Sequence, residues 1–166
     1  DLAKTLAKYV KGMGYTHIQL MPLMERVQKN SYGYPTVGYY AIRSCYGTPK
    51  DFMYFVDYMH QNGIGVIMEW IPGYFSTQEQ GLAMFDGTCL YEHLNPLQGL
   101  HPFYDAMLFQ YERPEVANFL LANALYWKEM YHLDGICVGG METMLYLDYG
   151  RKEGEWIPNR SEERRV

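Results

Sequence analysis

An α/β fold is predicted by this sequence, because short apolar runs suited to buried strands alternate with segments of helical periodicity. The strand candidates are 16–23 (THIQLMPL), 65–72 (GVIMEWIP) and 134–138 (DGICV). The helix candidates are 2–13, a segment that begins at Pro49 and a segment that begins at Pro114. Strands that alternate with helices in this way pair in parallel through right-handed crossovers.

Residues typical of helix ends support the three helices. The first helix carries apolar residues at helical spacing, namely Leu2, Leu6, Val10 and Met13. Gly14 can end it. In the second helix, Thr48 can cap the first turn, and Pro49 takes the first helical position, where a missing N–H is tolerated. Pro114 opens the third helix, and the negative charge of Glu115 suits a helix N-terminus.

The second strand candidate contains one charge, Glu69. A charge inside an apolar strand is unfavourable unless it is paired. Glu69 is therefore either a site residue near the end of the strand or a partner in a structural ion pair. The sequence leaves both interpretations open.

Two long connections follow the first two strand candidates, at 25–47 and 73–113. Connections of this length in compact domains are often functional. Both are rich in aromatic residues and glycine, and tyrosine alone occurs 17 times in the chain. Aromatic side chains fill cores, which is the interpretation we favour, but their faces also stack on sugar rings.

Composition excludes several classes of function. The net charge is −5, and no basic stripe appears outside a short tail that also holds glutamates, so we expect no nucleic-acid partner. No apolar run is long enough for a membrane span, and the N-terminal segment does not read as a signal peptide. The three cysteines form no CxxC pair, so we expect no metal, no cofactor and a reducing, cytoplasmic setting.

Several phrases of the sequence resemble those of one enzyme family. They are THIQLMPLME, YGTPKDFMYFVDYMHQNGIGVI, GLAMFDGTCLYEH, EVANFLLANALYWKEMYHLDG and MLYLDYGRKEGEWIPN. Together they are similar to bacterial 1,4-α-glucan branching enzymes, which are members of glycoside hydrolase family 13, the α-amylase superfamily. The FDGT and MLYLDY phrases are the most specific to branching enzymes. The similarity extends over nearly the whole chain.

The resemblance implies a partial (β/α)8 TIM barrel. Aligned with the family, residues 1–166 form a single fragment of the catalytic domain, from the first barrel helix to the fourth strand. The chain would supply strands two, three and four, and residues 160–166 would be an irregular tail. We expect a truncated protein whose open sheet edges favour self-association.

The resemblance also implies where the nucleophile should be. Family members use retaining glycosyl transfer, in which a carboxylate attacks the anomeric carbon and a second acid group sits roughly 5–5.5 Å away. The family nucleophile lies at the end of the fourth strand, where this sequence has Gly139. The family arginine two residues earlier is replaced by Cys137, a weak donor with no fixed charge.

Two further positions depart from the family pattern after the third strand. Where the family resembles D-W-V-P-G-H, this sequence reads EWIPGY. Glu69 therefore keeps the charge on a longer arm, and Tyr74 replaces a histidine that contacts the sugar. We expect both residues to bind substrate if the chain binds any.

One sugar-facing tyrosine matches the family. In the phrase YGYP, Tyr34 corresponds to a tyrosine that the family stacks under the reacting glucose. Tyr32 stands in place of a tryptophan and Pro35 in place of a glutamine. Cys45, in SCYGTP, stands where the family has arginine.

These departures predict an inactive relative of the branching enzymes, a pseudoenzyme. The alternative is a non-catalytic module that binds α-glucan, such as glycogen or maltooligosaccharide, or regulates its metabolism. Glu142 and Asp148 lie beyond Gly139 and are the acidic residues that could replace the missing carboxylate. We do not expect either to do so, because a nucleophile needs placement to about half an ångström.

Overall fold

The computed structural model describes residues 1–26 and 34–156 of the chain. Its helices are α1 (Leu2–Gly12), α2 (Pro49–Gln61), α3 (Pro96–Gly99), α4 (Pro114–Tyr131) and α5 (Met141–Leu145). Its strands are β1 (His17–Leu20), β2 (Met24–Glu25), β3 (Gly38–Ile42), β4 (Gly65–Trp70), β5 (Phe75–Ser76), β6 (Ala106–Met107) and β7 (Gly135–Val138). A short 3₁₀ turn covers Ser44–Tyr46.

The three predicted strands form one parallel sheet in the order β1–β4–β7, with β4 in the centre. Gln19 of β1 pairs with Ile67 of β4, and Glu69 of β4 pairs with Cys137 of β7. The predicted α/β fold with parallel strands is therefore confirmed. Among the described residues the sheet does not close, and β1 and β7 each pair on one side only.

The two faces of the sheet differ in burial. Val66 and Met68 of β4 are fully buried and belong to the main core, together with residues of α1, α2 and α4. On the opposite face, Ile67 and Glu69 are half-buried and Gln19 is exposed. The helices thus cover one face, and the other face borders the candidate site.

Helix ends form as the sequence predicts. The Thr48 hydroxyl accepts a hydrogen bond from the backbone N–H of Asp51, while Asp51 accepts one from the Thr48 backbone N–H at 2.7 Å. This reciprocal pair satisfies donors that the first turn of α2 leaves free. Pro114 opens α4, and Gly14 follows α1 with a positive φ of 76°. Only glycine adopts such a backbone without strain.

The long connections contain structure that the sequence did not predict. The segment 25–47 includes β3, which pairs antiparallel with β2, and the segment 73–113 includes the antiparallel pair of β5 and β6. β2, β5 and β6 have two residues each, too few for a periodic pattern. The parallel strands are also shorter than predicted. β1 ends at Leu20, two residues before Pro22, and β4 ends at Trp70, two residues before Pro72. Proline has no N–H to donate to a ladder.

Many aromatic residues do fill the core, as favoured. Trp127 and Phe75 are fully buried, and Tyr39 is nearly so. In residues 1–26 and 34–156, no helix is both long and apolar enough to cross a membrane. The predicted irregular tail, 160–166, and Tyr32 lie outside the described residues.

Candidate functional site

The turns that follow β4 and β7 meet at the carboxyl end of the sheet. Gly139, the first residue after β7, donates its backbone N–H to the carbonyl oxygen of Trp70 at 2.9 Å. A Cβ built on Gly73 would lie 2.1 Å from the carbonyl oxygen of Gly140, so the two backbones approach closely. The Thr143 hydroxyl joins the turns, because its oxygen lies 3.1 and 3.0 Å from the carbonyl oxygens of Gly73 and Gly140, and its one proton can be donated to either.

Two tyrosines hold the turn after β4 in place. The Tyr39 hydroxyl lies 2.9 Å from the carbonyl oxygen of Tyr74, and the Tyr111 hydroxyl donates to the carbonyl oxygen of Pro72 at 2.8 Å. Burial raises the pKa of both tyrosines well above the ordinary value. Both hydroxyls therefore keep their protons and act as donors, which fixes the backbone from which Tyr74 projects.

A side chain at Gly139 would have to displace its neighbours. A Cβ built on it would lie 2.5 Å from Cδ1 of Ile71 and 3.0 Å from Oε1 of Glu69. Real Cβ atoms essentially never make contacts as short as the first of these. The space beside the predicted nucleophile position is thus filled by two side chains from β4 and the turn after it.

Glu69 is held by a tyrosine. Its Oε1 accepts a hydrogen bond from the Tyr34 hydroxyl. In the part of the chain that the structure describes, no lysine, arginine or histidine nitrogen lies within 4.0 Å of this carboxylate. The structural ion pair that the sequence left open is therefore absent among these residues. Burial, and then the hydrogen bond to Glu69, raise the pKa of Tyr34, so its hydroxyl remains a donor.

A cavity of about 580 Å³ opens beside this pair. Its lining consists of Tyr34, Pro35, Tyr74, Phe103, Tyr104, Asp105 and Gly140. The volume lies within the range of roughly 300–1,000 Å³ that is usual for small-molecule sites. Tyr34 and Tyr74 face each other across one wall with ring centroids 6.3 Å apart, and Tyr74 is buried while Tyr104 is 58% exposed. The cavity thus offers aromatic faces from a buried wall to an open rim.

A buried histidine supports the rim. His101 Nδ1 accepts hydrogen bonds from the backbone N–H groups of Phe103 and Tyr104, at 3.2 and 3.1 Å. Its ring stacks on Tyr104 with centroids 4.5 Å apart. Burial lowers the pKa of His101, which favours the neutral ring that accepts these bonds. On the wall, burial and then the nearby Tyr104, Glu142 and Glu69 raise the pKa of Tyr74 to about 12.

The structure brings most of the predicted site residues together. Tyr34 and Tyr74 line the cavity, Glu69 accepts a hydrogen bond from Tyr34, and Gly139 lies beside Glu69. Cys137 is half-buried beside Glu69 on the neighbouring strand. These contacts do not test the roles that the sequence predicts, which stay predictions.

Other predicted residues lie elsewhere. Cys45 is exposed in the 3₁₀ turn and does not line the cavity. Asp148 is exposed beyond α5 and does not line it either. Glu142, in the first turn of α5, does not line the cavity, although its charge acts to raise the pKa of Tyr74 and of His101. Among the described residues, no group of three or more His, Cys, Asp or Glu could hold a metal ion.

Three lining residues escaped the sequence analysis, namely Phe103, Tyr104 and Asp105. They lie in the connection 73–113, which the sequence marked as functional only as a whole. The phrase HPFYD, with two adjacent aromatic residues beside a carboxylate, was the signal available. Nothing in its spacing relates it to Tyr34, about 70 residues earlier.

Comparison with known proteins identifies the family. Residues 4–87 match the catalytic domain of alpha amylase. Over 96% of this chain, the sequence is 58% identical to a 1,4-alpha-glucan branching enzyme of Thermosynechococcus vestitus and 54% identical to one of Rhodopirellula baltica. The chain spans 21% and 22% of the length of these two relatives, about a fifth in each case.

A solved structure shows the same fold. The crystal structure of α-amylase from Geobacillus thermoleovorans, in complex with acarbose, superimposes with a TM-score of 0.72 and 20% identity, over 92% of this chain and 38% of that one. The predicted partial (β/α)8 barrel is therefore confirmed, with the three parallel strands as its described sheet. The chain belongs to the α-amylase family of catalytic domains, and within it to the part represented by the 1,4-alpha-glucan branching enzymes.

Proposed function

We propose that this chain binds α-glucan in the aromatic cavity and does not supply the covalent nucleophile of glucosyl transfer. The observation that carries the proposal is the glycine at position 139, which has no carboxylate, close to a cavity lined by aromatic rings. The names of the relatives, 1,4-alpha-glucan branching enzymes, support an α-glucan as the ligand.

Retaining transfer depends on a carboxylate that bonds to the anomeric carbon. Glycine has no side chain, so Gly139 cannot form that ester. Cys137 offers neither the fixed charge nor the five donors of an arginine, so it cannot orient a carboxylate in the same way. Neither Glu142 nor Asp148 lines the cavity. The family position for the nucleophile therefore has no replacement on β7 or α5.

Binding requires less than catalysis, and the cavity meets its requirements. Aromatic faces at Tyr34, Tyr74 and Tyr104 offer the flat apolar surfaces on which the C–H faces of a sugar stack. Asp105 adds a carboxylate to the rim, where it can accept hydrogen bonds from sugar hydroxyls. A short glucan that stacks on the rings and bonds to this rim would fill the cavity without any chemical step.

Titration calorimetry with maltoheptaose tests the proposal. We expect saturable binding by the whole chain, at least tenfold weaker in Tyr104→Ala, because that ring lies at the open rim. Tyr9→Ala is the matched control, since Tyr9 has a similar exposure of 60% on α1, away from the cavity. Absence of binding at millimolar maltoheptaose would overturn the binding claim. Branching of amylose by the purified chain in an iodine-stain assay would overturn the claim about the nucleophile.

Two further properties are proposed. We propose a cytoplasmic setting, which the free thiols of Cys45, Cys89 and Cys137 support. We also propose self-association through the outer edges of β1 and β7, since an unpaired strand edge is a template for another strand. Sedimentation of the chain over a range of concentrations tests the second proposal, which a strictly monomeric chain would contradict.

A further inference from the structure

We propose that residues 101–106, which we call the rim turn, form an acid-sensitive gate at the edge of the cavity. The rim turn stays closed while the His101 ring is neutral and opens when that ring takes up a proton. The inference goes beyond the proposed function, since it concerns a movement of the chain and needs no ligand in the cavity.

The first support is the bonding of the His101 ring. Its Nδ1 accepts hydrogen bonds from the backbone N–H groups of Phe103 and Tyr104, at 3.2 and 3.1 Å. A ring nitrogen that accepts in this way carries no proton, so the ring is neutral and its one proton is on Nε2. Protonation would turn Nδ1 into a donor that faces two other donors, and both hydrogen bonds would be lost.

The second support is the unmet need of the other ring nitrogen. His101 is 5% exposed, and among the described residues its Nε2 has no hydrogen-bond partner. A buried donor without a partner is unfavourable, and a buried charge without a partner is more so. Opening of the rim turn would let water reach both nitrogens. Protonation therefore favours the open form, in which the charged ring gains acceptors for both of its N–H groups.

Ring contacts and hydrogen bonds connect the histidine to the cavity. Tyr104 stacks on the His101 ring with centroids 4.5 Å apart, and it lines the cavity together with Phe103 and Asp105. Asp105, the carboxylate of the rim turn, accepts a hydrogen bond from the Thr77 hydroxyl at 2.9 Å. Loss of the bonds to the Phe103 and Tyr104 backbone would therefore release side chains that form the edge of the cavity.

The other titratable and charged groups around the ring come from several elements. Tyr74, in the turn after β4, and Tyr149, beyond α5, stand edge-on to it with centroids at 5.1 and 6.5 Å. Burial is the largest cause of the lowered pKa of His101. The charge of Glu142 on α5 acts to raise this pKa and that of Arg151 acts to lower it, and the balance stays below the ordinary value of 6.5.

The direction of the pH effect follows from this lowered value. A histidine ring in water has a pKa close to 6.5, which is the value that we expect in the open form. Closure is therefore complete above about pH 6.5 and weakens as the pH falls below it, until the closed form also takes up the proton. One proton separates the two forms, so the ratio of closed to open rim turn should fall by up to about tenfold per pH unit in this range.

Amide hydrogen exchange, followed residue by residue with NMR, tests the gate. We would measure protection factors, which correct for the effect of pH on the chemistry of exchange. Those of the Phe103 and Tyr104 amides should fall about three- to tenfold between about pH 7.5 and about pH 5.5. The Gln110 amide is the internal control, because it bonds to the carbonyl oxygen of Tyr91 at 2.8 Å and neither group titrates. The loss is expected relative to this control.

Exchange of histidine for asparagine separates the charge of the ring from its role as acceptor. The side-chain oxygen that His101→Asn introduces can accept from the backbone two and three residues on, as asparagine does in turns, and it does not titrate. We expect both amides to stay protected at both pH values in this variant. His132→Asn is the matched control, since His132 is exposed and has a left-handed backbone with a φ of 55°, which asparagine tolerates. It should behave like the parent.

A second variant keeps the gate testable if His101→Asn does not fold. Glu142→Gln removes the charge that favours the protonated ring, so the loss of protection should move to lower pH. Protection of Phe103 and Tyr104 that does not change with pH relative to Gln110 would overturn the gate. A loss that persists in folded His101→Asn, or that keeps its pH in Glu142→Gln, would also overturn it. None of these measurements uses maltoheptaose, so the gate and the proposed function can fail separately.

Discussion

Replacement of Gly139 by aspartate should destabilise the protein and should not create a branching enzyme. The substitution adds back the carboxylate that the family carries at this position. Gly139 does not have a positive φ, so the backbone accepts a side chain without strain. The expected damage therefore comes from the two neighbours that occupy the space, Ile71 and Glu69.

The magnitude has two parts. The new Cβ would lie 2.5 Å from Cδ1 of Ile71, and overpacking of this kind costs about 1–3 kcal/mol. The new carboxylate would also approach that of Glu69. At a separation of about 4 Å, two like charges repel by about 1 kcal/mol in water and about 4 kcal/mol at an effective dielectric constant of 20. The free energy of unfolding of Gly139→Asp should thus fall by roughly 2–7 kcal/mol.

Urea unfolding followed by tryptophan fluorescence measures this loss, because Trp70 and Trp127 are buried next to the sheet. Gly139→Ala should show the overpacking part alone. Gly139→Asp should lose about 1–4 kcal/mol more than the alanine variant, and the addition of Glu69→Gln should recover most of that difference. A Gly139→Asp protein as stable as the parent would refute the reasoning, and so would a loss that Glu69→Gln leaves unchanged.

The remaining predictions concern the turns, acid stability and the cleft. Gly73→Ala should be strongly destabilising in thermal unfolding, because its Cβ would lie 2.1 Å from a backbone oxygen. Gly12→Ala, with open space around the new Cβ, should be neutral or stabilising by about 1 kcal/mol. Equal melting temperatures of the two variants would contradict this. Burial raises the pKa of Asp134, but hydrogen bonds from a backbone N–H and a histidine outweigh it, so the folded-state pKa is lowered. The stability that this lowered pKa contributes is complete above the ordinary pKa of 3.8 and is lost as the pH falls below it. The free energy of unfolding of Asp134→Asn should therefore fall less steeply with acid than that of the parent. An unchanged slope would contradict this prediction. Cys137 is half-buried and close enough to the cavity residue Tyr34 to affect its pKa. With the other two cysteines replaced by serine, maltoheptaose should therefore slow the reaction of Cys137 with a thiol reagent at least threefold, and an unchanged rate would contradict this prediction.

Sequence patterns predicted the parallel strands and the main helices because these elements depend on residues close together in the chain. Apolar runs bounded by glycine and proline gave the three parallel strands, and Thr48 and Pro49 marked the start of α2. The antiparallel strands β5 and β6 were not predicted, because two-residue strands carry no period and depend on a partner about 30 residues away. The same holds for β2, whose partner β3 lies across a long connection.

The candidate site was predicted only in part. The resemblance to a family pointed to Tyr34, Glu69, Tyr74 and Gly139. In the structure Tyr34 and Tyr74 line one cavity, while Glu69 accepts a hydrogen bond from Tyr34 and lies next to Gly139. The resemblance could not show that Glu69 lies beside Gly139. That contact joins adjacent strands, and their register is a property of the folded sheet. A glycine in a sequence signals a missing side chain and says nothing about which neighbour takes its place.

The central claim is that the cavity binds α-glucan although the chain has no nucleophile at the end of β7. Intact-protein mass spectrometry after incubation with a fluorinated α-glucosyl fluoride tests it most directly, since such a donor needs no acid to release fluoride and traps a carboxylate nucleophile as a stable ester. We predict that the mass of the purified chain stays unchanged. A mass increase by one fluoroglucosyl group on any carboxylate of the chain would contradict the account.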